Sequence, residues 1–266
     1  MLAVIRGAGD IASAIALRLV RCGVSVLMTE IEQPLTVRRT VAFSEAVRMG
    51  KAQVEGVTAV RTRDVSHALE LLSGESVVPV LVDPACACVN DVAPDAVVDA
   101  VLAKRNLGTS MDMAPIVVGV GPGFTVGVDC HAVVETMRGH TLGRAYYEGS
   151  ALPNTAVPGL VGGFAGERVL RAPCDGVFRG VAAIGDQVKE GQAVAYVGDV
   201  PVVATLTGVL RGLIADGVQV RQGLKCGDVD PRGESGYCGL VSDKGLAVAG
   251  GVLEAILHLS GTFSAR

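Results

Sequence analysis

The chain has 266 residues, half of them apolar, with a formal net charge of −4, 35 glycines, 3% aromatic residues and no tryptophan. That length allows two domains, or one large domain with an appendage, and a core so poor in aromatics must be Val, Ala and Leu packed between short elements. The missing Lys/Arg clusters and stacking aromatics exclude nucleic acid as the main ligand and an anionic membrane as a partner, and no apolar run approaches a membrane span. The opening MLAVIRGAGD reaches a glycine turn too soon for a secretion signal, so a cytoplasmic protein is expected. Seven cysteines, Cys22, Cys86, Cys88, Cys130, Cys174, Cys226 and Cys238, show no framework spacing and read as reduced thiols. Only Cys86 and Cys88 stand close enough for metal or redox work, and a C-x-C without a second pair does not make a zinc site, so no metal is expected.

Leu2 to Arg6 reads as a strand, Gly7-Ala8-Gly9 as a turn, and Asp10 to Cys22 as a helix with Ile11, Ile15 and Leu19 on one face. Gly23 ends the helix, Val24 to Met28 is a second strand, and Glu30 falls where a ribose-binding acid sits in a dinucleotide fold. The pattern is G-x-G-x-x-A, with Ala12 third. Gly7 permits the turn, Gly9 lets backbone approach phosphate, and Asp10 caps the helix while repelling a pyrophosphate unless a metal or Arg6 intervenes. Arg38 and Arg39 follow, facing either an anion or solvent; Ser44 caps a short helix through Arg48, and Asp64 caps another ending near Gly74. Val57–Val60, Val77–Val82 and Ala96–Leu102 continue the strands. Asp99 in the last of these needs a partner, either Lys104 or Arg105 in a structural ion pair, or else Asp99, Lys104, Asn106 and Thr109 stand at the ligand-holding carboxyl edge of the sheet.

PIVVGVGPGFTVGVDCHAVVETMRGH, residues 115 to 140, concentrates the polar chemistry. Ile116 to Val120 is a buried strand, broken by Gly121 and Gly123, whose backbone can approach a ligand. Asp129, His131 and Glu135 alternate, so an extended segment puts all three on one face, and a helix still brings His131 to Glu135. The alternative is a hairpin with one solvated face.

Gly143 to Tyr147 returns as a strand, and SALPNTAVPGLVGGFAGE is a Gly- and Pro-rich linker. Beyond it, residues 172–194 match 204–226 without a gap at an offset of 32, with ten identical pairs. Each copy reads as short strands between glycine turns and resembles one half of a biotinyl or lipoyl domain; the turn between copies, YVGDVPVVA, has no lysine to carry a cofactor arm. A terminal helix is expected from Asp243 to Leu259. The expected class is therefore α/β: a Rossmann-like ligand-binding domain over 1–150, a linker over 151–170, a duplicated β-rich barrel-sandwich module over 171–232 and a helical segment over 233–266.

The segments RGAGDIASAIALRL, MTEIEQPLTVRRTVAFSEAV, AKRNLGTSMDMAP, VGVGPGF and ETMRGHTLGR, with the paired glycine-turn segments through GDVDPRG, together resemble the accessory proteins of selenium-dependent molybdenum hydroxylases, distantly akin to xanthine dehydrogenase accessory factors. The resemblance spans nearly the whole chain but does not cover the CACVN stretch or Cys130. It implies a maturation factor holding an anionic nucleotide-like cofactor such as the molybdenum cofactor, with the hydroxylase as partner. Gly7, Gly9, Gly121 and Gly123 would then offer amides, Glu30, Asn106 and Thr109 would line the edge, and Arg38, Arg39 and Lys104 would balance charge. Asp129, His131 and Glu135 would position or deprotonate the group exchanged. Two alternatives stay open: an NAD(P)-dependent oxidoreductase, and a non-catalytic assembly scaffold. A homo-oligomer is expected in each case.

Overall fold

The computed structural model describes residues 1–74 and 76–262; residues 263–266 at the end of the expected C-terminal segment lie outside them. Two units are distinguished, the first made of residues 1–34, 42–155 and 241–266, the second of 35–41 and 156–240.

The first unit is built on a nine-stranded sheet. In chain order its strands are β1 (Leu2–Arg6), β2 (Ser25–Glu30), β3 (Lys51–Val54), β4 (Val57–Thr62), β5 (Val77–Val82), β6 (Ala96–Asp99), β7 (Ile116–Val120), β8 (Ala132–Val134) and β9 (Ala145–Tyr146). Across the sheet they run β3-β4-β5-β2-β1-β6-β7-β8-β9. From β4 to β8 all neighbours are parallel, and each edge adds an antiparallel strand, β3 on β4 and β9 on β8. Central strands such as β1 and β7 are continuous apolar runs because both faces are covered. Helix α1 (Asp10–Arg21) buries Ile11, Ile15 and Leu19, one turn apart, with Ala12, Ala14 and Ala16 between them. The remaining helices are α2 (Glu45–Met49), α3 (Val65–Gly74), α4 (Val89–Val92) and α5 (Asp243–Leu259). The α5 N-terminus is capped by Ser242, whose hydroxyl accepts from the Gly245 amide at 3.1 Å. Small residues let α5 lie close on α1: a side-chain carbon added at Gly245 would sit 3.0 Å from the Ala14 methyl.

The second unit contains two four-stranded antiparallel sheets, formed by β10 (Val169–Arg171), β11 (Gly176–Gly180), β12 (Gln187–Val188), β13 (Ala193–Val197), β14 (Val200–Val203), β15 (Gly208–Leu213), β16 (Gln219–Val220) and β17 (Lys225–Asp230). Their orders are β10-β17-β15-β12 and β14-β13-β11-β16, so each sequence copy places strands in both sheets. Phe178, Leu210, Ile214 and Val229 fill the core between turns.

The expected class is corrected in two respects. The first unit is a large mixed sheet with antiparallel edges, because β3 and β9 turn back on their neighbours where a Rossmann sheet would stay parallel. The second is not a self-contained biotinyl- or lipoyl-like barrel-sandwich over 171–232. Its hydrogen bonding draws in β10 and a segment from far upstream, with the Leu213 amide donating to the Val37 carbonyl at 2.8 Å. Among the described residues no helix is long and apolar enough to cross a membrane.

Candidate functional site

After β1 the chain passes to β2 on one side, and after β6 to β7 on the other, so the carboxyl ends of β1 and β6 form the switch point of the first unit. Open α/β sheets hold their ligands there. Gly7 has φ of +97°, and a side-chain carbon on it would sit 3.1 Å from the Ala100 carbonyl oxygen, so the turn is a close packing contact that only glycine allows. The Ala8 amide donates to Glu30 Oε2 at 2.9 Å, and the Ile31 amide to Oε1 at 2.8 Å. Burial raises the Glu30 carboxyl above its ordinary range, against the pull of those two amides. The acid expected to meet a ribose is thus bonded to the Ala8 and Ile31 amides.

Arg6, at the end of β1, is buried. Its guanidinium donates to the Pro84 carbonyl at 3.0 Å, the Leu107 carbonyl at 2.9 Å, Thr109 Oγ1 at 3.0 Å and Asp99 Oδ2 at 3.4 Å, while the Thr109 hydroxyl donates to the same Asp99 oxygen at 2.6 Å. Asp99 therefore has Arg6 as its ion-pair partner, which leaves Lys104 to other work. Asn106 organises the rest of the loop, accepting from the Gly108 and Thr109 amides at 2.9 and 2.8 Å and donating to the Thr109 carbonyl at 2.7 Å and Asp129 Oδ1 at 2.8 Å.

The other polar candidates hold backbone. Asp129 also accepts from the Thr125 amide at 2.7 Å, and His131 accepts through Nδ1 from the Val117 amide at 2.9 Å. Glu135 is fully buried and accepts from the Thr136, Met137 and Leu152 amides at 2.7, 2.7 and 2.8 Å. Asp129 and His131 precede β8 and Glu135 follows it, so the three do not share one face of one strand. A side chain at Gly121 would meet the Thr136 hydroxyl at 2.8 Å, and one at Gly123 the Arg105 backbone at 2.6 Å. Gly7 and Gly123 thus press on the same loop, 100–109, near its start and its middle. Arg38 and Arg39 belong to the second unit, where Arg38 donates to the Tyr237 and Leu240 carbonyls at 3.0 and 2.9 Å and Arg39 to the Leu213 carbonyl at 2.7 Å.

Loop 100–109 carries two non-glycine residues in the left-handed region, Leu102 at φ +61° and Lys104 at +64°. Such conformations cost of order 1 kcal/mol or more each, and they concentrate at functional sites. Lys104 is exposed on its outer side, yet the surrounding chain covers it enough that burial draws its ammonium below the ordinary 10.5, opposed by Glu135. Lys244, half-buried in the first turn of α5, goes further. Burial first, then the cationic Lys104 and Arg138, pull it down to about 8 against the attraction of Asp10 and Glu135. A cation in the first turn also opposes the helix dipole. Sequence reasoning missed Lys244; its signal is a lysine just inside a Ser-capped helix, where an acid is the ordinary choice. Arg138 makes a paired contact with Asp243, the residue before Lys244, at 2.7 and 3.1 Å. A separate open cavity of about 760 Å³ lies along β9, lined by His140, Arg144, Tyr146, Tyr147, Glu148 and Glu254. Glu254 is ten residues beyond Lys244 on α5, about 15 Å along the axis, so this cavity is not the lysine corner.

No family model matches the chain. Solved structures that it resembles are of the aspartoacylase class: an aspartoacylase family protein from Mesorhizobium loti, 14% identical, covering 77% of this chain and 84% of that one with a TM-score of 0.26. A second is the product-bound ectoine utilization protein EutE (DoeB) from Ruegeria pomeroyi, 11% identical over 85% of this chain and 86% of that one, TM-score 0.24. At such scores the likeness carries no argument about chemistry. The curated relative is uncharacterized protein YqeB of Escherichia coli (strain K12), 52% identical over 258 residues, 97% of this chain and 48% of the relative. The chain thus spans about half the length of the curated relative it matches. These matches correct the resemblance to selenium-dependent molybdenum hydroxylase accessory proteins: the solved structures are aspartoacylase-like, and the curated relative has no such role in its description. The molybdenum cofactor, the hydroxylase partner and the maturation role go with it. The comparisons equally give no support to an NAD(P)-dependent oxidoreductase or an assembly scaffold. Glu30, expected to meet a ribose, instead accepts from the Ala8 and Ile31 amides.

Proposed function

We propose that the first unit binds a small carboxylate that also carries a carbonyl group, and that the Lys244 amine attacks that carbonyl. What supports this reading is that Lys104, exposed after β6, acts through its charge on Lys244, half-buried at the start of α5, and that neither makes a hydrogen bond or an ion pair among the described residues. An unpaired ammonium that is half-buried, as that of Lys244 is, is costly unless a ligand supplies the counter-charge. A lysine that titrates near 8 beside a second cation is an amine available as a nucleophile close to neutral pH. Lys104 would hold the carboxylate. The Lys244 nitrogen would add to the carbonyl carbon, and water would leave to give an imine that hydrolysis later releases. Asp10, half-buried at the start of α1, would take and return the proton.

Pyruvate serves as a probe. Incubated with the protein and cyanoborohydride, it is expected to give a reduced adduct mapped by peptide mass to Lys244, formed faster as pH rises through about 8. Modification spread over surface lysines such as Lys51 and Lys189, with Lys244 untouched, would overturn the reading. A second measurement is independent of any ligand. The folded Lys244 titrates below its ordinary 10.5, so below pH about 8 folding carries the full penalty of the buried charge, and that penalty fades as pH rises from 8 to 10.5. Lys244→Met is therefore expected to raise the urea midpoint at pH 7, by less at pH 9.5, while abolishing the adduct. An unchanged or lowered midpoint at pH 7 would mean the lysine is held for stability.

A further inference from the structure

The two copies of the sequence repeat in the second unit differ in what lies over the outward faces of their strands. At the offset of 32, Val177 and Arg179 on β11 correspond to Val209 and Arg211 on β15, and the same offset sets Tyr196 on β13 where Asp228 stands on β17. Val209 is fully buried and the Arg211 side chain is 11% exposed, whereas Val177 is 52% exposed and Arg179 is exposed beside it. The course of the chain after each copy is the cause. The segment that follows β17 turns back onto the strands it has left: Arg232 pairs with Asp230 at 2.6 Å and stacks over the Tyr237 ring, and the Cys238 thiol reaches the Leu210 carbonyl of β15 at 4.0 Å. The segment that follows β13 instead hairpins into β14 and widens the sheet sideways, which leaves the outward face of β11 and β13 uncovered.

Alternation along the strands fixes the composition of that face. Phe178, Val197 and Val202 point into the core, so Arg179, Tyr196 and Pro201 point outward in one row, Arg179 opposite Tyr196 and Tyr196 opposite Pro201. Val177 and Val203, the latter 42% exposed, flank the row at diagonally opposite corners. The solvated face of an antiparallel sheet is ordinarily polar, and valine, tyrosine and proline in those positions make a surface suited to being covered. Its centre is a cation. The Arg179 guanidinium stacks 5.1 Å over the Tyr196 ring and makes no ion pair among the described residues, whereas Arg211 holds both Asp228 and Asp230. We infer that this face docks a segment of a partner protein that carries an aspartate or glutamate between apolar side chains, the carboxylate pairing with Arg179 as Asp228 pairs with Arg211. The apolar side chains cover Val177 and Val203 and exclude water from the pair, the arrangement in which an arginine anchors an interface.

The test is selection of a random peptide library, displayed on phage, against the intact protein. Enriched peptides are expected to carry an acid with apolar residues on both sides, and their synthetic forms to bind about tenfold more weakly to Arg179→Ala and to Val177→Ser than to the unaltered protein. Arg171→Ala, which removes an exposed arginine from β10 in the other sheet, is expected to leave binding unchanged. All three positions are exposed, and a urea midpoint matching that of the unaltered protein checks that each variant is folded. Enriched peptides that lack an acid, peptides that bind Arg179→Ala and Val177→Ser as tightly as the unaltered protein, or no enriched peptide at all would each overturn the inference.

Discussion

Replacing Asp228 by alanine is expected to destabilise the second unit by about 3 kcal/mol or more, read as a fall in its urea midpoint, because it takes the carboxylate from a covered Arg168 and leaves Arg211 only its longer bond to Asp230. Asp228, on β17, is 1% exposed and takes Arg168 on one oxygen at 2.6 Å and Arg211 on the other. Their side chains are only 8% and 11% exposed, so neither guanidinium can turn to bulk water without moving the sheet. The charge network continues to Asp230, which accepts from Arg211 at 3.3 Å and from Arg232 at 2.6 Å. Arg232 is 44% exposed and stacks 4.7 Å over the Tyr237 ring. Its removal is expected to cost about 1 kcal/mol or less, since water replaces the lost partner. Asp230 adds a pH dependence. Burial raises it, but Arg232 and Arg211 more than reverse this, so its folded value lies below the ordinary 3.8. Its stabilisation is then complete above about pH 4 and lost as pH falls through that lower value. Asp230→Asn is accordingly expected to lower stability at pH 7 and flatten its fall below pH 4. An Asp228→Ala protein with an unchanged midpoint would contradict the whole account of this network.

The second large effect is expected at Gly251, in the middle of α5. A side-chain carbon there would land on the Gly143 carbonyl oxygen and come within 2.9 Å of Val134 on β8. The reciprocal contact is as tight, since a side chain on Gly143, at φ +79°, would land on the Ala247 carbonyl oxygen. Helix and turn therefore meet backbone to backbone, with no flexible side chain to give way. Gly251→Val is expected to cost about 3 kcal/mol or more, the upper end for overpacking, measured by urea unfolding. Gly250, its neighbour, faces open space, and Gly250→Ala is expected to be neutral or stabilising by up to about 1 kcal/mol through helix propensity. Equal responses at the two positions would show that α5 does not pack as described.

Loss of Gly251 packing would also bear on the lysine corner, because Lys244 is carried by the first turn of the same helix. Pyruvate trapping on Gly250→Ala should match the unaltered protein. That result separates local damage at α5 from damage to the chemistry.

Periodicity and turn residues in the sequence determined the separate elements. Ile11, Ile15 and Leu19 specify the buried stripe of α1, Ser242 starts α5, and the apolar run from Ile116 to Val120 is β7. These signals are local, each readable within a few residues of chain. The partners of polar side chains are not local, and only the tertiary structure decided them. Asp99 meets Arg6 from 93 residues away, and Glu30 turns its carboxylate back on the Ala8 amide, where the glycine spacing had suggested phosphate and ribose. Glycines read as ligand approaches, Gly7, Gly121 and Gly123, are the points where one segment of protein presses on another. Lys104 gains its companion Lys244 from 140 residues downstream because α5 folds back onto α1, and no spacing along the chain encodes that meeting. A sequence specifies which residues are free to form an element through short-range sterics and hydrophobic pattern; which charges end up near one another is set by long-range packing alone.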